Sequence, residues 1–574
     1  MTGYAISSCH YLATRAACEM LATGGNIIDA AVTASFVLQV VEPHLNGPGG
    51  ELVALLAVKD SVDPICVSGV GAAPKHATID HFRNLGCEVV PGSGTLSAPV
   101  PGQFDALCIL LRDHGTKTLT EVLAPAVRLA GKGFPVTASL HQALASAFAG
   151  PFTHWEETRR YWFPQGVVPK TGEIIKNSSL HDTYKVLSNL SAAYSSRTRG
   201  IQAAREYWYQ GPIAKEIASH VKELHWQPSL GMLPGVLTFD DLATYSTTLE
   251  SPVSFTLGDK ALYKPGPWTQ GPVLLETFGI LSEMSLLDAP PDDPEAIHFM
   301  VETIRLAMAD RDAYLGDGSQ AVPELLSPSY LNQRGKLLTA KASTDVVAGN
   351  LANFQSWQPP TNSILQPVSQ APWAPERIGR GDTCQVSIID HKGQAVSITA
   401  SGGWLQSSPV ISTLGFALST RLQQTWLDPR SPSALTPGKR PRVTLTPTLV
   451  MENSDVLYSL GTPGGDGQDQ WQIHALRRLL TGNKTPDQAV SLFNLQAISF
   501  PNSFWPREHV PQGLLIEADA PESLQRDLSR RGHRVFSVPA NSLGRLSIVH
   551  KDSTTGRLTS AVSPRSGYGQ AMVV

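Results

Sequence analysis

The chain reads as an α+β layered sandwich, and three observations carry that expectation. Two β-branched runs, Gln385–Ile389 and Ala395–Thr399, flank the turn signal Asp390-His391-Lys392-Gly393 and predict a β-hairpin. Apolar positions across residues 11–41 recur at helical spacing. Toward the C-terminus, strands are expected over Leu449–Met451 and Val456–Ser459 and a helix over Gln468–Leu480. From Pro501 to Val574, short strands then surround a charged helix at Pro521–Arg531. Interleaved strands, hairpins and helices suit layers packed around a shared core. A chain of 574 residues can build one large layered body or two to three domains, and length alone does not choose.

In chain order, Thr23-Gly24-Gly25-Asn26 breaks the helical pattern and recaps it, with Asp29 near the start of the second half. Glu42–Leu52 is a glycine-dense turn leading into a strand over Leu52–Val58. Its Gly47-Pro48-Gly49-Gly50 lacks the Gly-Lys-Ser/Thr ending of a phosphate cradle and precedes a strand, so it reads as a structural turn. Between Lys341 and Arg380 the composition shifts to Pro, Gln, Ser and Asn without periodicity. Connections this long are usually functional or mobile. A segment that releases when the bond beyond it is cut and an ordinary surface linker share this composition.

Hydrophobic content of 42% and charged content of 16% are those of a soluble globular protein. A net charge of −4 argues against a nucleic-acid or anionic-membrane partner. Six cysteines (Cys9, Cys18, Cys66, Cys87, Cys108 and Cys384) form no C-x-x-C pair or zinc spacing and read as reduced intracellular thiols. Met1 leads into G-Y-A-I-S-S-C-H with neither a basic n-region nor an apolar h-region. The apolar run Ala30–Val41 is too short to span a bilayer. The expectation is a cytoplasmic protein with no membrane or nucleic-acid partner. No metal, no cofactor and no nucleotide motif is expected, and single histidines such as His44 read as structural.

The stretch Gly381–Gly403 carries the chemistry. Thr383 stands at the mouth of the predicted hairpin. A threonine hydroxyl is a weak nucleophile until a base takes its proton, and a free α-amine on the same residue, with a pKa of about 7.7–8.0, can be that base. The amine exists only if the Asp382–Thr383 bond is broken. Threonine is also simply a good strand former, and the Asp-Thr pair alone does not decide.

The motif series around it does. G-G-N-x-x-D-A-A-V (Gly24–Val32), V-E-P-H (Val41–His44), P-V-P-G (Pro99–Gly102) and L-A-P-A-V-R-L-A-x-x-G-F-P-V (Leu123–Val136) come first. Q-G-P-V-L-L-E (Gln270–Glu276), R-L-A-M-A-D-R-D-A-Y-L-G-D (Arg305–Asp317) and L-L-S-P-S-Y (Leu325–Tyr330) follow. P-G-K-R-P-R (Pro437–Arg442), T-L-T-P-T (Thr444–Thr448) and G-T-P-G-G (Gly461–Gly465) complete it. The ordered series covers nearly the whole chain and resembles the γ-glutamyltranspeptidase family. The resemblance implies the four-layer αββα sandwich of N-terminal-nucleophile hydrolases. It also implies self-cleavage between Asp382 and Thr383 into an α region (1–382, with 341–382 mobile before cleavage) and a β region (383–574). Thr383 is then the nucleophile, Ser401 orients it, and the N–H groups of Gly464 and Gly465 form the oxyanion hole.

Substrate recognition departs from the family pattern. The arginine that grips a γ-glutamyl α-carboxylate is replaced by Val70 within S-G-V-G-A-A-P (Ser68–Pro74), so no bidentate clamp stands there. The stretch matching the ammonium-binding segment reads L-S-T-R-L-Q-Q (Leu418–Gln424), with Arg421 and Gln424 in place of neutral and acidic residues. Val443 and Thr444 replace paired serines. Arg421, Gln424, Thr444 and Gly403 are the substrate-side candidates, and Arg421 or Arg442 could meet a carboxylate from the opposite side. The pattern resembles the family's acylases and oxamate amidohydrolase.

The leading reading is therefore a self-processing amidohydrolase or acyltransferase acting on a non-glutathione amide, with an amine as a conceivable acceptor. The protein would be an α/β heterodimer from one chain, with a further dimerisation left open. A true γ-glutamyltransferase, an unprocessed ligand-binding or scaffold relative, and cleavage one bond later with Cys384 as the nucleophile remain alternatives.

Overall fold

A computed structural model describes residues 3–58, 63–360 and 383–574. Its frame is two antiparallel sheets. The first has seven strands in the order Gln570–Val573, Tyr4–Ser8, Thr383–Asp390, Ala395–Ser401, Glu51–Ala57, Ile65–Gly69 and Thr248–Glu250. The second has six, in the order Leu558–Val562, Ser547–Lys551, Asp455–Gly461, Thr448–Glu452, Lys260–Lys264 and Val253–Leu257. Both sheets mix strands from before and after residue 382, so the two regions of the chain share each sheet.

Side-chain alternation along the strands sorts the cores. Val386, Ile388, Val396 and Ile398 pack with Ile28, Phe36 and Val40 of the helix Ile27–Val41. The opposite face contributes Val53, Leu55 and Ile389 to a core shared with Leu449, Met451 and Val549 of the second sheet. The other face of the second sheet, with Leu262, Val450, Leu460 and Ile548, is covered by the helices Pro272–Glu283, Pro294–Tyr314 and Gly467–Leu480.

The predicted hairpin forms, as strands Thr383–Asp390 and Ala395–Ser401. Its turn is held by the Lys392 and Gln394 N–H groups donating to Asp390 Oδ1, with Gly393 at φ 83°. The break in the first helical stretch also forms as read. Tyr11–Ala22 ends, and Asn26 opens Ile27–Val41 through a reciprocal capping box with Asp29. The other expected elements appear with slightly shifted ends: Glu51–Ala57, Thr448–Glu452, Asp455–Gly461, Gly467–Leu480 and Glu522–Arg530. Among the described residues, no helix is long and apolar enough to cross a membrane, and all six cysteines are free thiols.

Residues 341–360 form no helix or strand. They are nevertheless anchored. The Gly349 N–H donates to Asp310 Oδ1 at 2.8 Å, and the Trp357 indole donates to Asp428 Oδ2 at 3.1 Å while lying edge-on to Trp426. The rest of the predicted mobile segment, with Asp382, lies outside the described residues.

Candidate active site

Thr383 is the first residue of its strand and pairs directly with Ser401, which in turn pairs with Glu51. In-register neighbours on adjacent strands point to the same face. Thr383, Ser401 and Glu51 therefore form one polar row facing the second sheet. The row is buried, with Thr383 at 2% exposure and both Ser401 and Glu51 at 0%. Glu51 is the only charged residue of the otherwise apolar strand E-L-V-A-L-L-A.

The facing sheet delivers the glycine loop. Ser397 Oγ donates to Leu460 O and Ser459 Oγ donates to Val396 O, both at 2.9 Å, which locks the strand Asp455–Gly461 against the hairpin. A Cβ at Gly461 would overlap the Gln385 amide, two residues beyond Thr383 on the same face. This close approach sets G-T-P-G-G beside the start of the Thr383 strand. Gly464 has φ 125° and Gly465 φ 54°, and a Cβ at Gly464 would overlap the Trp471 ring. Their carbonyls accept from the Gly467 and Gln468 N–H groups as the helix Gly467–Leu480 begins. Their own N–H groups find no acceptor among the described residues. Two left-over donors at the positive end of a 14-residue helix favour a negative oxygen.

The loop is held from below by ions. Asp466 accepts from the Ser503 N–H and hydroxyl at 2.6 Å and from Arg311 Nη1 at 2.5 Å. Arg311 also reaches Gln270 Oε1 at 3.2 Å, and the Gln270 amide donates to Gly465 O at 3.4 Å.

Arg421 is buried beside the polar row. It donates from Nη2 to Ser401 Oγ at 2.7 Å and from Nε to Glu51 Oε2 at 3.3 Å, and it stands over the Trp404 and Phe504 rings. Burial raises the Glu51 carboxyl above the usual range, against the lowering effect of the Arg421 charge. Gln424 is fully buried, with Oε1 3.5 Å from Arg421 Nη1 and no partner for Nε2 among the described residues. Gly403, at φ 62°, abuts the Gly49–Gly50 backbone, and Thr444 Oγ1 is buried without a partner among the described residues.

Two expectations change. Arg442 is not poised for a ligand, because it donates to Arg311 O at 2.9 Å and Asp312 Oδ1 at 2.7 Å and so braces the helix Pro294–Tyr314. Cys384 sits on the opposite face from Thr383, in the helix-side core, where burial and contact with Cys9 push its thiol well up. It faces away from the glycine loop and Ser401. Val70 packs between the sheets, consistent with the loss of a carboxylate clamp there. Glu51 was missed by the sequence reading, although a lone acid opening an apolar strand was a usable signal.

A hydroxyl at a strand start, a neighbouring hydroxyl and a pair of spare backbone donors define an amide-hydrolase type of site. The chain belongs to the gamma-glutamyltranspeptidase family, whose model matches residues 13–574. It is an enzyme of that family. Oxamate amidohydrolase proenzyme of Klebsiella pneumoniae subsp. pneumoniae is 30% identical over 490 residues, 84% of this chain and 83% of that protein. The structure of LmbA2991HD is similar at TM-score 0.92 and 38% identity, covering 100% of this chain and 98% of that one. Cephalosporin acylase from Bacillus halodurans is similar at TM-score 0.82 and 26% identity, covering 100% and 95%.

Proposed function

We propose that this enzyme cleaves itself between Asp382 and Thr383 and then hydrolyses or transfers an acyl group through an ester on Thr383. In this reading the two stacked sheets and their outer helices are the four-layer αββα body of an N-terminal-nucleophile hydrolase. An N-to-O acyl shift at Thr383 gives an ester, and water releases residues 1–382 from 383–574. The freed α-amine then takes the hydroxyl proton when Thr383 attacks a substrate carbonyl. Ser401 orients the hydroxyl, and the Gly464 and Gly465 N–H groups receive the oxyanion. The amine returns its proton to the leaving group, and water or an amine acceptor resolves the ester. Because both sheets interleave strands from the two regions, the pair stays associated after cleavage.

The observation that carries this reading is the in-register Thr383–Ser401 pair beside a glycine loop with two spare N–H donors. The acyl group is read as non-glutathione, because Val70 is packed in the core and a guanidinium, Arg421, is bonded to Ser401. Kinship with oxamate amidohydrolase and cephalosporin acylase supports amides of other kinds. Intact mass spectrometry tests it. The wild-type chain should give two fragments and an acyl adduct on the one starting at Thr383. Thr383→Ala should remain a single chain of about 62 kDa without activity, and normal processing in that variant would sink the proposal. Rapid turnover of a γ-glutamyl anilide would instead favour a true γ-glutamyltransferase.

A further inference from the structure

Across the end of the helix Pro212–Lys222 the sequence runs H-V-K-E-L-H (His220–His225), and its three metal-ligand side chains come together in space. One ligand atom from each of His220, Glu223 and His225 lies within 4.8 Å of the others. We propose that His220, Glu223 and His225 form a binding site for a borderline divalent transition-metal ion such as zinc. Nothing in the amidase chemistry uses these residues.

The cluster is built, not merely close. His225 Nε2 contacts the His220 carbonyl at 2.8 Å, and the Glu223 N–H donates to the same oxygen at 3.2 Å, so one carbonyl folds the three residues into a loop. The His220 ring lies beside the Pro409 backbone. The His225 ring thus donates its Nε2–H to a backbone carbonyl, which fixes its tautomer and leaves Nδ1 as a lone pair. Histidines that ligate metals are oriented in this way. His220 is 8% exposed and its Nε2 has no partner among the described residues, which is costly unless a ligand satisfies it. Glu223 is exposed and the ring of His225 is half-buried, so an ion can enter from solvent.

Two imidazoles and one carboxylate suit zinc or cobalt(II), with water completing the shell, and do not suit calcium or magnesium. The position of Pro409 beside the His220 ring gives the site a structural consequence. It lies on the connection between Trp404, which faces Arg421, and the hairpin Val410–Ala417. A bound ion would pin that connection to the helix Pro212–Lys222.

The test uses the full processed chain, stripped with a chelator and titrated with Zn²⁺ and with Co²⁺ as a spectroscopic probe. The expected result is one equivalent per chain and a cobalt spectrum with nitrogen ligation. Affinity should fall at least tenfold in His225→Ala and in Glu223→Gln, and Zn²⁺ should raise the Tm of the wild type but of neither variant. The Glu223 side chain is exposed, so the metal-free Tm of Glu223→Gln should be unchanged, and that variant separates lost ligation from lost packing. Should His220→Gln fail to fold, Glu223→Gln and His225→Ala still decide. Absence of binding, or binding unchanged in both variants because buried thiols hold the ion, would overturn the proposal.

Discussion

The Thr383–Ser401–Glu51 row and the Arg421–Gln424 turn meet through Arg421, which bonds Ser401 at 2.7 Å and Glu51 at 3.3 Å, yet they are built under different constraints. The first is set by backbone: strand register places one hydroxyl beside the other, and positive-φ glycines place the facing donors. The second is set by side chains. A short 3₁₀ turn carries Arg421 into a buried ion pair with Glu51, between two aromatic rings. Backbone devices tolerate little change, because a Cβ or a register slip removes them outright. A side-chain device can be exchanged for another of similar volume and charge. On the proposed reading, one enzyme can therefore keep the Thr383 centre while the Arg421 side of its pocket is rebuilt.

That contrast predicts its largest effect at Gly464. Gly464→Ala must overlap the Trp471 ring and abandon φ 125°, which moves the loop. Losing one oxyanion donor costs about 10²–10³ in turnover, and kcat should fall by at least that much in a preprocessed enzyme with KM little changed. A comparable rise in KM instead would place Gly464 in binding rather than in the reaction. Arg421→Met should come next. It strands the Glu51 carboxyl in a fully buried site, where breaking such a pair costs about 3–5 kcal/mol. Chemical denaturation should show that loss, and adding Glu51→Gln should recover most of the stability without restoring substrate selectivity. If the double variant is as unstable as the single one, packing against Trp404 and Phe504 outweighs charge.

Val70→Arg probes the other side of the pocket. The position is 2% exposed and packs with Val443, Leu445 and Trp268. A guanidinium there would be buried without a carboxylate partner, at a cost of several kcal/mol. The variant should lose stability and gain no γ-glutamyl-anilide activity. A gain would mean that one substitution reopens the carboxylate clamp.

Local patterns made the hairpin, the capped helix at Asn26 and the glycine loop legible, since turn chemistry and β-branched runs act over a few residues. The position of Tyr4–Ser8 between Thr383–Asp390 and Gln570–Val573 was not legible. Pairing across more than 370 positions leaves no local signature, and the five-residue strand Y-A-I-S-S is too short to give a register. The helices between Gln103 and Lys222, with the histidine cluster at their end, were likewise passed over. Arg421 was visible as a departure, but whether it faced solvent or Glu51 depended on a strand 370 positions away.

The smallest expected effect separates the reacting centre from the body that carries it. His44 lies in the Glu42–Gly50 turn, whose backbone bonds Leu405 and Gly402 just beyond Ser401. Burial, with the charge of Arg545, lowers its pKa from 6.5 to about 3. The folded protein therefore keeps His44 neutral while the unfolded chain takes up a proton below pH 6.5. Stability from this residue is complete above pH 6.5 and is lost as pH falls toward 3, amounting to about 2 kcal/mol at pH 5. On the proposed mechanism activity should follow a different curve, because a freed Thr383 amine acting as base must be unprotonated and its ordinary pKa is about 7.7–8.0. Turnover should thus decline as pH drops from about 8, well before the denaturation midpoint moves, and His44→Gln should flatten the acid limb of stability while leaving the activity limb in place. If the two curves fall together in the wild type and shift together in the variant, the loss of activity reports unfolding and the amine is not the base.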